Sequence, residues 1–358
     1  MTPARIGVIG CGKVSQMYLP VLTGMSSLDV VAVADVDPDS ARAAGEQYAI
    51  SNVVSPEKLL ADPTVEVVLN LTPISAHVDV TRAALAAGKH VYSEKPLATS
   101  VEEARSLFEE AERRGLALAC APDTLLGTGF QAAWKALTDG EIGKPLGATA
   151  AMYRSAFRGT SFYTNGATPI FDMAPYYASA LVALFGPVTR VSSTTRTWPE
   201  GEVGEAPAAG PPVAVSGVLE FASGMLANLT LAWATEHRHE IPVLTVHGTT
   251  GVLRFPNPNN FGDPAYLQRY GEDTWTELPG SRQPEDWKHN LRGLGVAEMA
   301  QAIRAGRRPR AGGELACHVV DVIAGLVRSG ETGAGVELST TCTQPAPVPA
   351  GEQHQLLF

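Results

Sequence analysis

The chain is poor in cysteine. Its four cysteines, Cys11, Cys120, Cys317 and Cys342, are scattered and show no C-x-x-C spacing. That pattern argues against a disulfide framework or a cysteine zinc site, and for a reduced, cytoplasmic setting. Cations are also in short supply. Twenty-seven lysines and arginines face 37 acidic residues, for a formal net charge of -10. Phosphate backbones need clustered cations, so no nucleic-acid partner is expected. There is no basic amphipathic stretch and no run approaching ~18 apolar residues, so no membrane partner is expected either. The first apolar run, Ile6 to Ile9, is too short for a signal peptide and reads as a strand. Charged residues make up 18% of the chain and hydrophobic ones 45%, which favours an ordered globular core. At 358 residues the chain outgrows a single core, which stops near roughly 250–300 residues, so two domains are expected.

What is present begins with alternating strands and helices. After the strand at Ile6–Ile9 comes Gly10-Cys11-Gly12-Lys13-Val14-Ser15, a G-x-G-x-x-S turn. The first glycine permits a tight turn, the second lets backbone approach a pyrophosphate, and the third position needs a small side chain. A helix from about Val14 to Leu22 would aim its first amides at phosphate. A second strand, Asp29–Ala34, ends at Asp35, 20 residues after Ser15. A carboxylate at that spacing suits a ribose 2′-hydroxyl and repels a 2′-phosphate, which favours NAD over NADP. Asp37, just before Pro38, is the better cap for the next helix. A short helix over Ser55–Leu60, a strand over Val65–Asn70, the loop Leu71-Thr72-Pro73 and a helix over Ser75–Ala87 follow. Thr72 and Pro73 count among the candidate cofactor residues. His77 sits in the first turn of that helix, either as a structural histidine or as a contact to the nicotinamide half of a cofactor. Val91-Tyr92 is a short strand, and Glu94-Lys95-Pro96 stands at its carboxyl end, where open α/β sheets bind ligands. Ser100 caps a helix over Val101–Arg114, with Glu103 completing a capping box, and Leu116–Cys120 is the next strand. The pattern implies an α/β class with a doubly wound parallel sheet over residues 1–124.

Beyond Pro122 the pattern changes. A helix over Gly129–Thr138 leads into strand-like runs at Ala148–Tyr153, Val188–Thr195, Val213–Phe221, Met225–Ala232, Val243–His247 and Gly251–Arg254. Hairpin-like turns join several of them, so residues 125–338 read as a second domain with a largely antiparallel sheet. Glu200–Pro212 reads as a loop or lid, Leu294–Ala305 and Glu314–Arg328 as helices, and 339–358 as a proline-containing tail. The strongest signal is Asp172-Met173-Ala174-Pro175-Tyr176. Proline belongs in a first helical turn, so a helix is expected to start near Asp172. Asp172 and Tyr176 would then share one face at a helix N-terminus, where anionic forms are favoured. A carboxylate and a phenol so placed could hold a substrate hydroxyl and take its proton.

These three islands, the glycine turn, Glu94-Lys95-Pro96 and Asp172 to Tyr176, resemble the Gfo/Idh/MocA oxidoreductases over most of the chain, to about residue 330. The resemblance implies an N-terminal Rossmann domain and a C-terminal α/β domain whose open sheet builds homodimers or homotetramers. It also implies NAD(P)-dependent chemistry on a sugar, glycoside or cyclitol. Gly10, Gly12, Lys13, Val14, Asp35, His77, Glu94 and Pro96 join Thr72 and Pro73 on the cofactor side. The family lysine falls on Lys95, with a Lys–Pro bond that is commonly cis, and the family aspartate falls on Asp172. The family's usual catalytic histidine falls on Tyr176, as in some sugar-ketoreductase-like members. A phenol with an ordinary pKa near ~10 needs help to act as a base, and the Lys95 ammonium or a helix end could supply it. Lys95 and Tyr176 are therefore expected to share proton transfer, with Asp172 orienting the substrate. Asp123, Thr124, Arg154 and His237 are substrate candidates of lower rank, followed by Arg158, His239, His289, Asn290 and Arg292. His237 and His239 could share a strand face but lack a third ligand, so no metal is expected. By family analogy the reaction is placed at C3 of a pyranoside. The rivals are an NADPH-dependent ketoreductase of deoxysugar or aminoglycoside biosynthesis, and a non-catalytic nucleotide-sensing protein.

Overall fold

A computed structural model describes residues 2–154, 168–197, 212–233, 244–284, 290–349 and 352. By its internal packing the chain falls into two compact units. One comprises Met1–Leu126, Glu285–Cys317 and Val348–Phe358, the other Gly127–Pro284 and His318–Pro347. The sequence suggests a single crossing near residue 124, whereas the chain returns to the first unit after residue 284.

The first unit is a chain of βα repeats. In order, these are β1 (Ala4–Ile9), α1 (Ser15–Leu22), β2 (Leu28–Ala34), α2 (Pro38–Gln47), β3 (Val53–Val54), α3 (Pro56–Ala61), β4 (Val67–Asn70), α4 (His77–Ala86), β5 (His90–Ser93), α5 (Val101–Arg114) and β6 (Leu118–Cys120). Side-chain caps set the starts of several helices. Asp37 accepts the amides of Asp39 and Ser40, Ser55 that of Lys58, and Ser100 that of Glu103. Gly115, in the left-handed region, closes α5. The strands form one parallel sheet in the order β3-β2-β1-β4-β5-β6. Val67, Val68, Leu69 and Asn70 of central β4 are all buried, as expected of a strand covered on both faces. The strand order reverses between β1 and β4, so the ligand crevice lies outside their carboxyl ends. The turn after β1 carries the glycines, and the loop after β4 carries Thr72 and Pro73.

The second unit starts with α6 (Thr128–Thr138), β7 (Pro145–Arg154), α7 (Pro169–Phe185), β8 (Val188–Arg196), β9 (Ala214–Phe221) and β10 (Leu226–Trp233). It continues with β11 (Leu244–Gly248), β12 (Gly251–Phe255), β13 (Tyr266–Arg269) and β14 (Thr276–Glu277). After α8 (Leu294–Arg304), in the first unit, comes α9 (Gly313–Thr332), which starts there and runs on into the second, and then β15 (Val336–Glu337). The sheet order is β14-β13-β12-β11-β7-β10-β9-β8-β15. Its pairings are antiparallel apart from the central pair, where Ala148 to Arg154 of β7 run parallel to Ala227 to Trp233 of β10. One face is packed by helices. Phe130 of α6 meets Phe255 of β12 at 5.3 Å between ring centroids, and Leu326 of α9 lies against Gly217 of β9. The strands β3, β13, β14 and β15 have no counterpart in the sequence reading, since two to four residues are too few to show a period of two.

The start of α7 differs from expectation. Thr168 is its N-cap, accepting the Phe171 amide, and Pro169 takes the first-turn position that suits proline. Pro175 therefore lies inside the helix. Asp172 stays in the first turn, but Tyr176 sits a turn further on, where the helix-end potential has largely decayed. The pair keeps its four-residue spacing.

Candidate active site

The glycine turn is built by close approach on one side and open space on the other. Gly10 has φ +104, and a Cβ there would lie 2.5 Å from the Leu71 carbonyl carbon and 2.7 Å from the Thr72 nitrogen. Only glycine lets the two crevice loops meet in this way. At Gly12 a Cβ would have nothing within 4 Å, which leaves the turn open for a phosphate to approach backbone. Ser15 is buried and donates to the Gly12 carbonyl at 2.6 Å, so the small third residue fastens the turn to α1. Val14 provides no side-chain cap, so the first amides of α1 are not taken by a capping side chain. Lys13 is exposed beside them.

Asp35 is held by backbone on both oxygens. The Cys11 amide donates to Oδ2 at 2.6 Å and the Asp37 amide to Oδ1 at 2.9 Å. Its carboxylate is thereby fixed at the end of β2, against the glycine turn. Burial, and next the Asp35 charge, push the Cys11 thiol up to about 12, so it stays protonated and unreactive at neutral pH.

Asn70 organises the loop after β4. Its Oδ1 accepts the Thr72 hydroxyl at 2.6 Å and the Thr72 amide at 3.2 Å, and its Nδ2 donates to the His77 carbonyl and the Thr81 hydroxyl, both at 3.1 Å. Pro73 follows with extended backbone. The His77 ring is buried between two carbonyls, with Nδ1 2.7 Å from Pro96 O and Nε2 2.9 Å from Thr72 O.

Lys95 is 9% exposed and its peptide to Pro96 is cis. The neighbouring Glu94 is 6% exposed. The Tyr18 hydroxyl donates to Glu94 Oε1 at 2.7 Å, the Lys95 amide donates to Oε2 at 2.9 Å, and Arg292 Nη1 lies 3.9 Å from Oε1. A single carboxylate thus ties the glycine-turn helix to the backbone of Lys95. Burial, then the Glu94 charge, drive the Tyr18 phenol well above its ordinary pKa, so it acts as a donor.

Asp123 and Thr124, the substrate candidates after β6, are both buried. Asp123 Oδ2 accepts the Gly295 amide at 2.8 Å and the Gly293 amide at 3.2 Å, capping α8 from a distance. On α7, Tyr176 is buried and Asp172 half-buried. Arg154 is the last residue of β7. Asn290 is exposed and Arg292 buried. Arg158, His237, His239 and His289, and the segment proposed as a loop or lid as far as residue 211, lie outside the described residues. Among the described residues no three His, Cys, Asp or Glu side chains converge as a metal set would, and no helix is long and apolar enough to cross a membrane.

Sequence reasoning missed Tyr18 and Asn70. Tyr18 gives no signal, being one of several large residues on α1. Asn70 does give one, as a polar residue closing the apolar run Val67-Val68-Leu69 of a fully buried strand.

The profile of an oxidoreductase family with an NAD-binding Rossmann fold matches residues 4–121, and the GFO/IDH/MocA C-terminal domain matches residues 130–254. The chain belongs to the Gfo/Idh/MocA family. Its first unit is an NAD-binding Rossmann domain, and the protein is an oxidoreductase whose relatives are NAD(P)-dependent sugar and cyclitol dehydrogenases and reductases. One relative is the dTDP-3,4-didehydro-2,6-dideoxy-alpha-D-glucose 3-reductase of Saccharopolyspora spinosa, 26% identical over 317 residues, or 85% of this chain and 89% of that protein. Another is the D-xylose 1-dehydrogenase (NADP(+)) 2 of Haloferax volcanii, 26% identical over 350 residues, or 93% and 99% of the two chains. Among solved structures, the aldose-aldose oxidoreductase from Caulobacter crescentus, complexed with glycerol, shares the fold with a TM-score of 0.82 at 22% identity, covering 94% of this chain and all of that one.

The Gfo/Idh/MocA cofactor fits the residues present. Open space over Gly12, a helix N-terminus without a side-chain cap directly after it and a fixed carboxylate at Asp35 are what a dinucleotide with a free 2′-hydroxyl needs.

Proposed function

We propose that this protein interconverts a secondary hydroxyl and a ketone on a sugar, glycoside or cyclitol, at C3 of a pyranoside, with NAD as the preferred cofactor. Lys95 carries the proposal. It is a buried lysine at the carboxyl end of β5, its backbone anchored by Glu94, in a domain built for a nicotinamide dinucleotide. Bound NAD supplies the hydride acceptor, or in reverse the donor. The protein's own residues do the rest. Gly10, Gly12, Lys13, Val14, Asp35, Thr72, Pro73, His77, Glu94 and Pro96 bind or support the dinucleotide. Lys95 and Tyr176 share the movement of the substrate hydroxyl proton, and Asp172 orients the substrate. Asp123, Thr124, Arg154 and His237 stand behind them as substrate contacts of lower rank. The fixed carboxylate of Asp35 supports NAD over NADP, since a 2′-phosphate would meet a like charge.

The test is a panel of free sugars, inositols and glycosides, each offered with NAD and with NADP, followed by NMR of the product. A new ketone at C3 of a pyranoside, with NAD favoured, is the expected outcome. A preference for NADPH of about tenfold or more would overturn the Asp35 argument and favour the ketoreductase reading, which the likeness to the 3-reductase supports. No turnover on any polyol, together with unchanged cofactor affinity in Lys95→Ala, would favour a nucleotide sensor instead.

The second unit also presents a sheet face suited to self-association. Tyr153 of β7 and Leu226 of β10 are exposed at 40% and 53%, on the face opposite the buried Ala148, Ala150 and Met152 and the buried Ala227, Leu229 and Leu231. We propose that a second copy covers them, giving a homodimer or a homotetramer. Light scattering on the purified protein decides: a monomer at micromolar concentration removes this part of the reading.

A further inference from the structure

The ring of His77 faces a hydrogen-bonding problem. Pro96 O is 2.7 Å from Nδ1, and Thr72 O is 2.9 Å from Nε2. Both partners are backbone carbonyls, which only accept. A neutral imidazole has one N–H, so it can satisfy one of them, while its other nitrogen turns a lone pair toward a carbonyl oxygen. Only the imidazolium donates to both. The two contacts are also unequal. The Pro96 contact is fully buried, whereas the Thr72 contact is partly open to solvent. A carbonyl at a solvated edge can take water when the ring withdraws, and a buried one cannot, so the neutral ring keeps its proton on Nδ1.

From this we infer that His77 is a positioning residue for Lys95: its Nδ1–H holds the Pro96 carbonyl in every protonation state, and its Nε2–H ties down the Thr72 loop only when the ring is protonated. Resting on the reading of Lys95 as the proton-transfer group, the inference gives that group a fixed support in the residue that follows it. Thr72 connects the same device to the glycine turn, because the backbone of Leu71 and Thr72 is what a side chain at Gly10 would strike. One proton on His77 thus decides whether the Thr72 carbonyl is also bonded to the ring, while the Asn70 bonds hold Thr72 in either state.

The charges around the ring set where this happens. Glu94 and Lys95, from the loop after β5, face it with opposite signs. Asn70 of β4 and Thr81 of α4 pack beside it and are neutral. Burial holds the His77 pKa below the ordinary histidine value, against the pull of the Pro96 carbonyl, the Glu94 charge and the Thr72 carbonyl. The neutral, Nδ1-protonated ring is therefore the form present at neutral pH, and the form bonded to both carbonyls belongs to acid.

The direct test is nitrogen-15 NMR of the ring in the full-length protein, free of cofactor and titrated from neutral pH into acid. Nδ1 should carry its proton throughout, while Nε2 passes from bare to protonated. A bare Nδ1 at neutral pH, with the proton on Nε2, overturns the inference whether or not the protein turns over any substrate. Two variants then read the consequence for catalysis. In His77→Asn the amide stands near the Nδ1 position and can still reach Pro96 O; in His77→Gln it stands near Nε2 and reaches Thr72 O instead. The Gln variant should lose about tenfold in kcat, and the Asn variant no more than about threefold, with KM for the cofactor moving less than kcat in both. Equal losses in the two, or the larger loss in Asn, would contradict the role of Pro96 O. If neither variant nor wild type is active while the NMR pattern holds, the reading of the reaction has failed and that of His77 has not.

Discussion

The two units hold their candidate groups in opposite ways. In the first, nearly every polar atom near the cofactor turn is fixed by backbone. Asp35 is held by two amides, Glu94 by the Lys95 amide and a tyrosine, and His77 lies between two carbonyls. In the second, Asp172 and Tyr176 project from a single helix that begins at Pro169 and accommodates Pro175 in its interior. The contrast follows from what each unit has to recognise. A dinucleotide is the same molecule in every turnover, so loops can be built to it with glycines and main-chain donors. A sugar hydroxyl can lie at any of several carbons, so under the proposed function the second unit would work with side chains, which change without disturbing the frame.

The strongest challenge to this comparison is Lys95→Met. If Lys95 moves a proton while the backbone holds the dinucleotide, kcat should fall about a thousandfold, with the dissociation constant for NAD changed less than about tenfold. A comparable fall in Tyr176→Phe would place the proton step equally on the second unit. An unchanged kcat in the lysine variant would leave the first unit as a nucleotide holder alone.

The same contrast decides how much was legible in the sequence. Gly10, Gly12 and Ser15, Asp35 at its spacing, the Ser100 cap and Glu94-Lys95-Pro96 are short-range patterns, each forced by local geometry, and a reader of the sequence meets them intact. The start of α7 was not legible in that way. Thr168-Pro169 and Asp172 with Pro175 are both acceptable helix openings, and the choice between them is made by packing of the whole helix on its sheet, where Ile170 and Phe171 are buried. The Glu94 cluster was hidden for a different reason. Tyr18, Glu94 and Arg292 come from three distant stretches of chain, and no spacing rule joins residues 76 and 198 positions apart. Asn70 alone announced itself, and only to someone asking why a buried strand ends in an amide.

Two glycines sharpen the comparison next. In Gly10→Ala the new Cβ meets backbone at 2.5 to 2.7 Å and the residue must hold φ +104, so about 3 kcal/mol of stability should be lost, seen as a lower midpoint in urea. Gly12→Ala adds a methyl to open space, so the same midpoint should move by less than about 1 kcal/mol while NAD affinity drops about tenfold. Equal effects in the two assays would mean that the turn is not divided between a structural and a ligand-facing glycine. A smaller change is expected at Asp35. Asp35→Ser removes the like charge a 2′-phosphate would meet, and the NAD-to-NADP preference should shift toward NADP by about tenfold. A preference that stays put would show that the carboxylate serves only to hold the Cys11 amide.

The smallest effect expected concerns Asp123, whose carboxylate is satisfied on one oxygen only. Oδ2 caps α8, but Oδ1 has no hydrogen-bond partner among the described residues, and neither does the buried hydroxyl of Tyr92. Burial raises the Asp123 carboxyl above its ordinary range, against the Gly295 amide and the Arg292 charge that pull it down. The sign follows from that direction. A carboxyl whose folded pKa is raised binds a proton more tightly in the native state than in the unfolded chain, so native stability declines as pH rises from the ordinary aspartate value toward the raised one. Asp123→Asn keeps an oxygen for the Gly293 and Gly295 amides and has nothing to titrate. Its stability should therefore vary less with pH across that window, and the gap between variant and wild type should move in the variant's favour as pH rises. The slope is the quantity to follow, because loss of the negative charge at the start of α8 lowers the variant's stability by a similar amount at every pH where the wild-type group is ionised. Parallel pH profiles for the two proteins would mean that the carboxylate pays no burial penalty and that an unseen donor satisfies Oδ1.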